Sequence, residues 1–134
     1  MPDLPWLTPQ PPAPHTEAYA MASRFETRTL LGAFRFLLRT PRVMAQIRTA
    51  PGAHGVTLRA RPLRRTFWTL SAWESAEALH RFAAGDPHRS TARALKGLMK
   101  DSAFTYWSVA ADTLPLTWDD ALVRLDKKRP GARH

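Results

Sequence analysis

Thr66-Phe67-Trp68-Thr69-Leu70-Ser71-Ala72-Trp73-Glu74-Ser75-Ala76-Glu77-Ala78-Leu79-His80-Arg81-Phe82 is the stretch whose reading decides the fold. Its first half alternates as a strand from about Arg65 to Trp73. Phe67, Thr69, Ser71 and Trp73 point one way, and Trp68, Leu70 and Ala72 the other. Apolar residues on both sides call for cover on both faces. At Ser75 the period changes to that of a helix, capped by Ser75, with Ala76, Leu79, Phe82 and Ala83 inward. Gly85 stops that helix. Asp86-Pro87-His88 then opens another, with Asp86 as cap and Pro87 at the first helical position.

Working outward, Tyr19, Met21, Ser23 and Phe25 alternate with smaller or polar residues and predict a first strand. Leu30 to Arg48 has helical spacing, with Phe34, Leu37 and Leu38 on one face and Pro41 as a break or kink. Pro51-Gly52-Ala53-His54-Gly55 predicts a turn. Val56, Leu58 and Ala60 give a second strand whose other face is basic, ended by Pro62. Phe104 to Ala110 predicts a fourth strand, and Thr117-Trp118-Asp119-Asp120 starts a last helix carrying Ala121, Leu122 and Leu125. The order β-α-β-β-α-β plus a tail helix defines an α+β, ferredoxin-like domain over residues 18–126. Residues 1–17 hold six of the twelve prolines and are expected to be a disordered leader; 127–134 form a basic tail. The few helices can cover only one sheet face. The other is assigned to a second copy, which predicts a homodimer.

The chain of 134 residues, 44% hydrophobic with five Trp, has material for one core. No apolar run approaches the roughly 20 residues of a membrane-spanning helix. The N-terminus lacks a secretory pattern, so a cytoplasmic location is expected. The absence of cysteine excludes disulfides, thiolate metal sites and thiol catalysis. The net charge of +9 invites a nucleic-acid reading, but sixteen of the twenty basic residues are Arg, and Lys127, Lys128, Arg129 and Arg133 lie in the tail. Nucleic-acid binding is therefore disfavoured, and no aromatic RNA-binding motif supports it.

His88 is the sharpest candidate for chemistry. It shares a helical stripe with Ala92, Leu95 and Met99, flanked by Thr91 and Leu98, so its imidazole is expected on the core side. The first helical turn disfavours imidazolium, and a neutral imidazole suits a metal ligand or a hydrogen-bonding anchor. A buried histidine bonded to backbone or a hydroxyl is the alternative. His80 falls at the edge of an apolar face, His54 in a turn, and His15 and His134 in the tails, with no zinc spacing among them. Trp68, Trp73, Phe82, Leu95, Met99 and Trp107 are candidate walls of a ligand pocket, or else a filled core. Arg59, Arg61, Arg64 and Arg65 form a basic rim suited to carboxylates, or a solvated face. Hydrolase, P-loop and dinucleotide motifs are absent.

The segment Thr69 to Leu79, followed by Phe82-Ala83 and His88, resembles the dimeric α+β barrel proteins of the antibiotic-biosynthesis-monooxygenase type. More closely, it is similar to the spheroidene monooxygenase group and its small uncharacterised relatives. Arg35-Phe36, Met44 and Pro51-Gly52 sit where that group has comparable residues. The resemblance spans about Tyr19 to Ala110. It implies a homodimer with a pocket between sheet and helices for a small apolar or aromatic metabolite. Superfamily members include cofactor-free oxygenases, haem-degrading enzymes and haem-dependent carotenoid oxygenases. In the haem-binding members a histidine on a pocket helix ligates iron, and His88 is the matching position. The implied function is a monooxygenase-like protein, either haem-dependent or cofactor-free; a non-catalytic binding or interaction domain of the same fold is the alternative. The chain departs from the carotenoid enzymes in its much shorter length and in Leu98-Met99-Lys100-Asp101, where those have an aromatic cluster.

Overall fold

The computed structural model describes residues 4–127; the basic tail beyond Lys127 and His134 lie outside the described residues. The elements are β1 (Glu17–Thr27), α1 (Leu30–Ile47), β2 (Ala53–Arg61), β3 (Thr66–Trp73), α2 (Ala76–Ala84), α3 (His88–Leu95), β4 (Met99–Ala110) and α4 (Trp118–Asp126). The four strands form one antiparallel sheet in the order β2-β3-β1-β4. This is the ferredoxin-like α+β arrangement.

Period-two alternation divides the sheet residues between two faces. Tyr19, Met21, Ser23 and Phe25 of β1 share one face with Phe67, Thr69, Ser71 and Trp73 of β3, as the pairs Tyr19–Trp73 and Phe25–Phe67 show. Two apolar clusters join that face to the helices. One holds Ile47, Val56, Trp73, Leu79 and Phe82; the other holds Ala33, Phe36, Ala60, Phe67 and Leu95. α1 begins at a Thr29 cap whose hydroxyl accepts the Gly32 N–H. Its buried residues are Gly32, Ala33, Phe36 and Ile47. Phe34 and Leu38, expected inward beside Leu37, are exposed, because the small Gly32 and Ala33 turn the helix so that it seats Phe36 on Phe67 at 4.2 Å. α1 runs through Pro41 without ending. Only one helical hydrogen bond is lost to the ring nitrogen.

Part of the opposite face is covered by the two ends of the chain itself. Ala22, Leu70 and Ala103 pack with Ala121 and Leu125 of α4, and Trp6, Trp68, Trp107, Leu116 and Trp118 close around them. The expected disordered leader is thus corrected for residues 4–10. Leu4 and Leu7 donate their amides to Leu58 and Val56, and Val56 returns a bond to Leu7. Proline denies this segment regular structure but leaves its other amides free to pair with the β2 edge. His54, expected in a turn, is buried at the start of β2, with Nδ1 2.8 Å from the Gln10 carbonyl. β4 starts at Met99, five residues before the predicted Phe104.

Candidate functional site

Trp73 closes β3 on the helix side, fully buried, and its indole Nε1 donates to Ser71 Oγ at 2.9 Å. Ser75 caps α2 by accepting the Ala78 N–H, which swings Leu79 and Phe82 back over the strand end. The Phe82 ring lies 5.1 Å from Trp73 and, on another side, 5.0 Å from the His88 ring. Gln46 of α1 stitches this corner together. Its Nε2 donates to the Phe82 carbonyl at 3.1 Å, and its Oε1 accepts the His88 N–H at 2.7 Å.

His88 Nδ1 stands 3.1 Å from the Ala83 carbonyl. A carbonyl can only accept, so this contact calls for a proton on Nδ1, which in the neutral form of the ring leaves the lone pair at Nε2. Asp86 supports the same turn: its Oδ1 accepts the Ser90 amide at 3.0 Å and the Ser90 hydroxyl at 2.5 Å. The hydroxyl bond first, then the amide bond, hold the Asp86 carboxyl below its ordinary value. Asp86 therefore provides the capping oxygen, although Pro87, not Asp86, occupies the cap position.

A seam of hydroxyls lies between the two helix-side clusters. Ser23 and Thr69 are direct partners across β1 and β3 and share a hydrogen bond, and Ser71 follows on the same face. Ser23 and Ser71 are buried. Beside the seam, Tyr106 of β4 stacks on Tyr19 with centroids 5.9 Å apart. Partial desolvation, then the Tyr19 hydroxyl, push the Tyr106 phenol above its ordinary value. On the other side of Phe82 a cleft of about 260 Å³ opens between the end of α1 and α2, lined by Gln46, Thr49, Ala50, Pro51, Ala78, Arg81 and Phe82.

The sheet separates the residues that the sequence grouped as one pocket. Trp73 and Phe82 meet; Leu95 and Met99 belong to the neighbouring cluster on the same face. Trp68 and Trp107 lie on the opposite face, against α4. Their strand parity dictates this, since a single residue step changes face. The inward stripe of α3 is Thr91 and Leu95 with a half-buried His88; Ala92 is exposed, and the helix ends before Met99. The arginines do not rim this corner. Arg59 lies 4.9 Å over the Trp118 ring on the α4 side, Arg61 shares that side of β2 and donates to the Ala60 carbonyl, and Arg65 sits in the β2–β3 turn with φ +58°, donating to the Arg28 carbonyl. Gln46, Ser71 and Arg81 were not singled out as site residues. Ser71 carried a signal, a polar residue amid apolar neighbours on the inward parity. Gln46 carried none, because its role is to bond main chain on two other elements.

No family model matches this sequence, and no curated protein matches it. Solved structures do. SnoaB, a cofactor-independent oxygenase from Streptomyces nogalater, is 21% identical with a TM-score of 0.58, covering 77% of this chain and 98% of that one. A putative antibiotic biosynthesis monooxygenase from Nitrosomonas europaea is 13% identical, TM-score 0.58, over 66% of this chain and 95% of that one. Rv0793 from Mycobacterium tuberculosis is 19% identical, TM-score 0.56, over 75% and 96%. The chain thus has the antibiotic-biosynthesis-monooxygenase type of fold. The narrower resemblance to the spheroidene group finds no support in these likenesses.

Proposed function

We propose that the protein is monooxygenase-like and binds a small aromatic or similarly apolar metabolite at the Phe82 corner. One observation carries this reading. The Phe82 ring both walls the open cleft and packs against Trp73 and His88, so one side chain joins the cleft to both. Arg81 at the cleft would hold a carboxylate or phenolate, and His88 Nε2 would take a proton from the bound ring. Dioxygen would be the oxidant: the deprotonated substrate gives up the electrons, keeps one oxygen atom and releases the other as water. SnoaB, named as cofactor-independent, supports chemistry of this kind on such a fold.

The haem alternative fits the residues poorly. The His88 ring is packed on Phe82 and tied to Ala83, and the cleft of about 260 Å³ does not include it. Ligand pockets commonly run from roughly 300 to 1,000 Å³. The cofactor-free form suits these residues better. The same hydrogen bonds favour a second reading, a non-catalytic binding domain in which His88 is a structural tie. Pairing of two copies remains part of the proposal on the strength of the resemblance.

Benzoate and phenol titrations, followed by Trp emission with Trp73→Phe as control, test the site. Binding should shift the emission, weaken roughly tenfold in Phe82→Ala, and survive in His88→Ala while oxygen uptake is lost. An unchanged spectrum with both probes would sink the proposal. A Soret band on adding haem, abolished in His88→Ala, would overturn the cofactor-free form. Loss of stability alone in His88→Ala selects the binding-domain reading.

A further inference from the structure

The excess charge of this protein is concentrated in one stretch of the sequence. Between Thr27 and Trp73 there are nine arginines and no Asp, Glu or Lys; the eleven other basic residues are matched by the eleven acidic ones, so the whole excess of +9 resides in this segment. Five of these arginines belong to α1 and its flanks: Arg28, Arg35, Arg39, Arg42 and Arg48, all exposed. None of the five is in an ion pair among the described residues.

The same helix presents apolar residues to solvent. Leu31 is 62% exposed, Leu38 79%, Phe34 48% and Leu30 47%. At 100° per residue, Leu30, Phe34, Leu38 and Leu31 sweep one quarter of the helix circumference, and Arg42, Arg35 and Arg39 continue the arc directly beyond it. The short β2–β3 turn packs against α1 and extends the surface with Leu63, 81% exposed, and Arg64. A run of large aliphatic side chains bordered by arginines, with no carboxylate, is the pattern of a helix lying in the plane of a bilayer.

We propose that the outward face of α1 with the Leu63 turn is a peripheral docking surface for an anionic lipid bilayer. The leucines and Phe34 enter the headgroup boundary, and Arg35, Arg39, Arg42 and Arg64 meet the lipid phosphates. Charge complementarity selects this occupant. A second copy on the same face would oppose arginines to arginines by two-fold symmetry. Nucleic acid would engage the arginines but leave Leu31, Leu38 and Leu63 in water. No helix among the described residues is long and apolar enough to cross a membrane, so docking is on the surface only.

The full chain is sedimented with vesicles of phosphatidylcholine alone and of phosphatidylcholine with about one third phosphatidylglycerol. Binding is expected to the anionic vesicles only, and to weaken as salt rises. Leu31→Ser/Leu38→Ser and, separately, Arg35→Gln/Arg39→Gln/Arg42→Gln should each reduce it roughly tenfold or more. Lys96→Gln/Lys100→Gln, off this face, should not. These exposed positions leave the fold intact, and unchanged thermal melting verifies that. No binding to either vesicle, or equal binding to both, overturns the proposal. So does an oligonucleotide bound by wild type and the leucine variant alike that keeps the protein off the vesicles. Dissociation of an oligomer by the leucine variant also overturns it, since the face would then be a self-interface.

Discussion

Gly55 shows how much one missing atom can decide. A Cβ built there would lie 1.9 Å from Cζ2 of Trp6, so the indole of the N-terminal arm occupies the space a side chain would need. Gly55→Ala must expel Trp6 or bend β2. Overpacking of this kind costs about 1–3 kcal/mol, and we expect a lowered melting temperature with a red shift of Trp emission. An alanine variant that keeps the wild-type emission would show that the arm is not seated on β2. Gln46 is decisive in another way, because one amide satisfies main-chain groups on both α2 and α3. Gln46→Ala leaves the partly buried His88 amide and Phe82 carbonyl without it, a loss of about 1–3 kcal/mol by denaturant unfolding. Gln46→Glu keeps the acceptor for His88 and should recover part of that loss. If alanine and glutamate melt alike, the His88 bond contributes nothing.

At the scale of elements, α3 hangs on Asp86. The two Ser90 bonds that depress its carboxyl stabilise the folded state above the unfolded value of 3.8 and are lost as pH falls through the lower folded value. The protection of the amides of Ser90 and its neighbours in α3, measured against their intrinsic exchange rates, should therefore fall below about pH 4, ahead of β1 and β3. In Asp86→Asn, which cannot titrate, that early acid step should vanish. A wild type whose α3 and sheet amides lose protection together in acid would refute this. The strands are legible because their residues alternate: β3, the Ser75 cap and the start of the last helix at Thr117 lie where the sequence places them. In α1 the apolar pattern and the fold differ in orientation. Phe34 and Leu38 are as apolar as Phe36, and a hydrophobic pattern alone does not record that Gly32 and Ala33 mark the side of closest approach. The corner at Phe82 was half legible. Trp73, Phe82 and His88 were named from their neighbourhood along the chain, whereas Gln46 reaches them from 36 residues before Phe82, a distance that no local spacing encodes.

For the whole molecule, the two ends of the chain change what the sheet needs from its surroundings. Two-sided strands require two covers, and here Trp6, Leu116, Trp118, Ala121 and Leu125 supply cover on the second face. Arg59 over Trp118 and Arg124 over Trp107 at 4.5 Å close its rim. Cation–π contacts of this sort add about 0.5–1 kcal/mol each at exposed sites, so the seal rests mainly on the buried Leu70 and Leu125 and the partly buried tryptophans. Ending the chain after Pro115 would uncover Ala22, Leu70, Trp68 and Trp107 together. A patch of that kind on a sheet face is self-complementary, and sheets packed face to face are a stable way to bury it. The truncated chain should therefore associate through its sheet at concentrations where the full chain shows a smaller mass by light scattering, and Leu70→Glu in the truncated chain should reverse this. Equal masses for full and truncated chains would mean that α4 is not what keeps this face from a second copy.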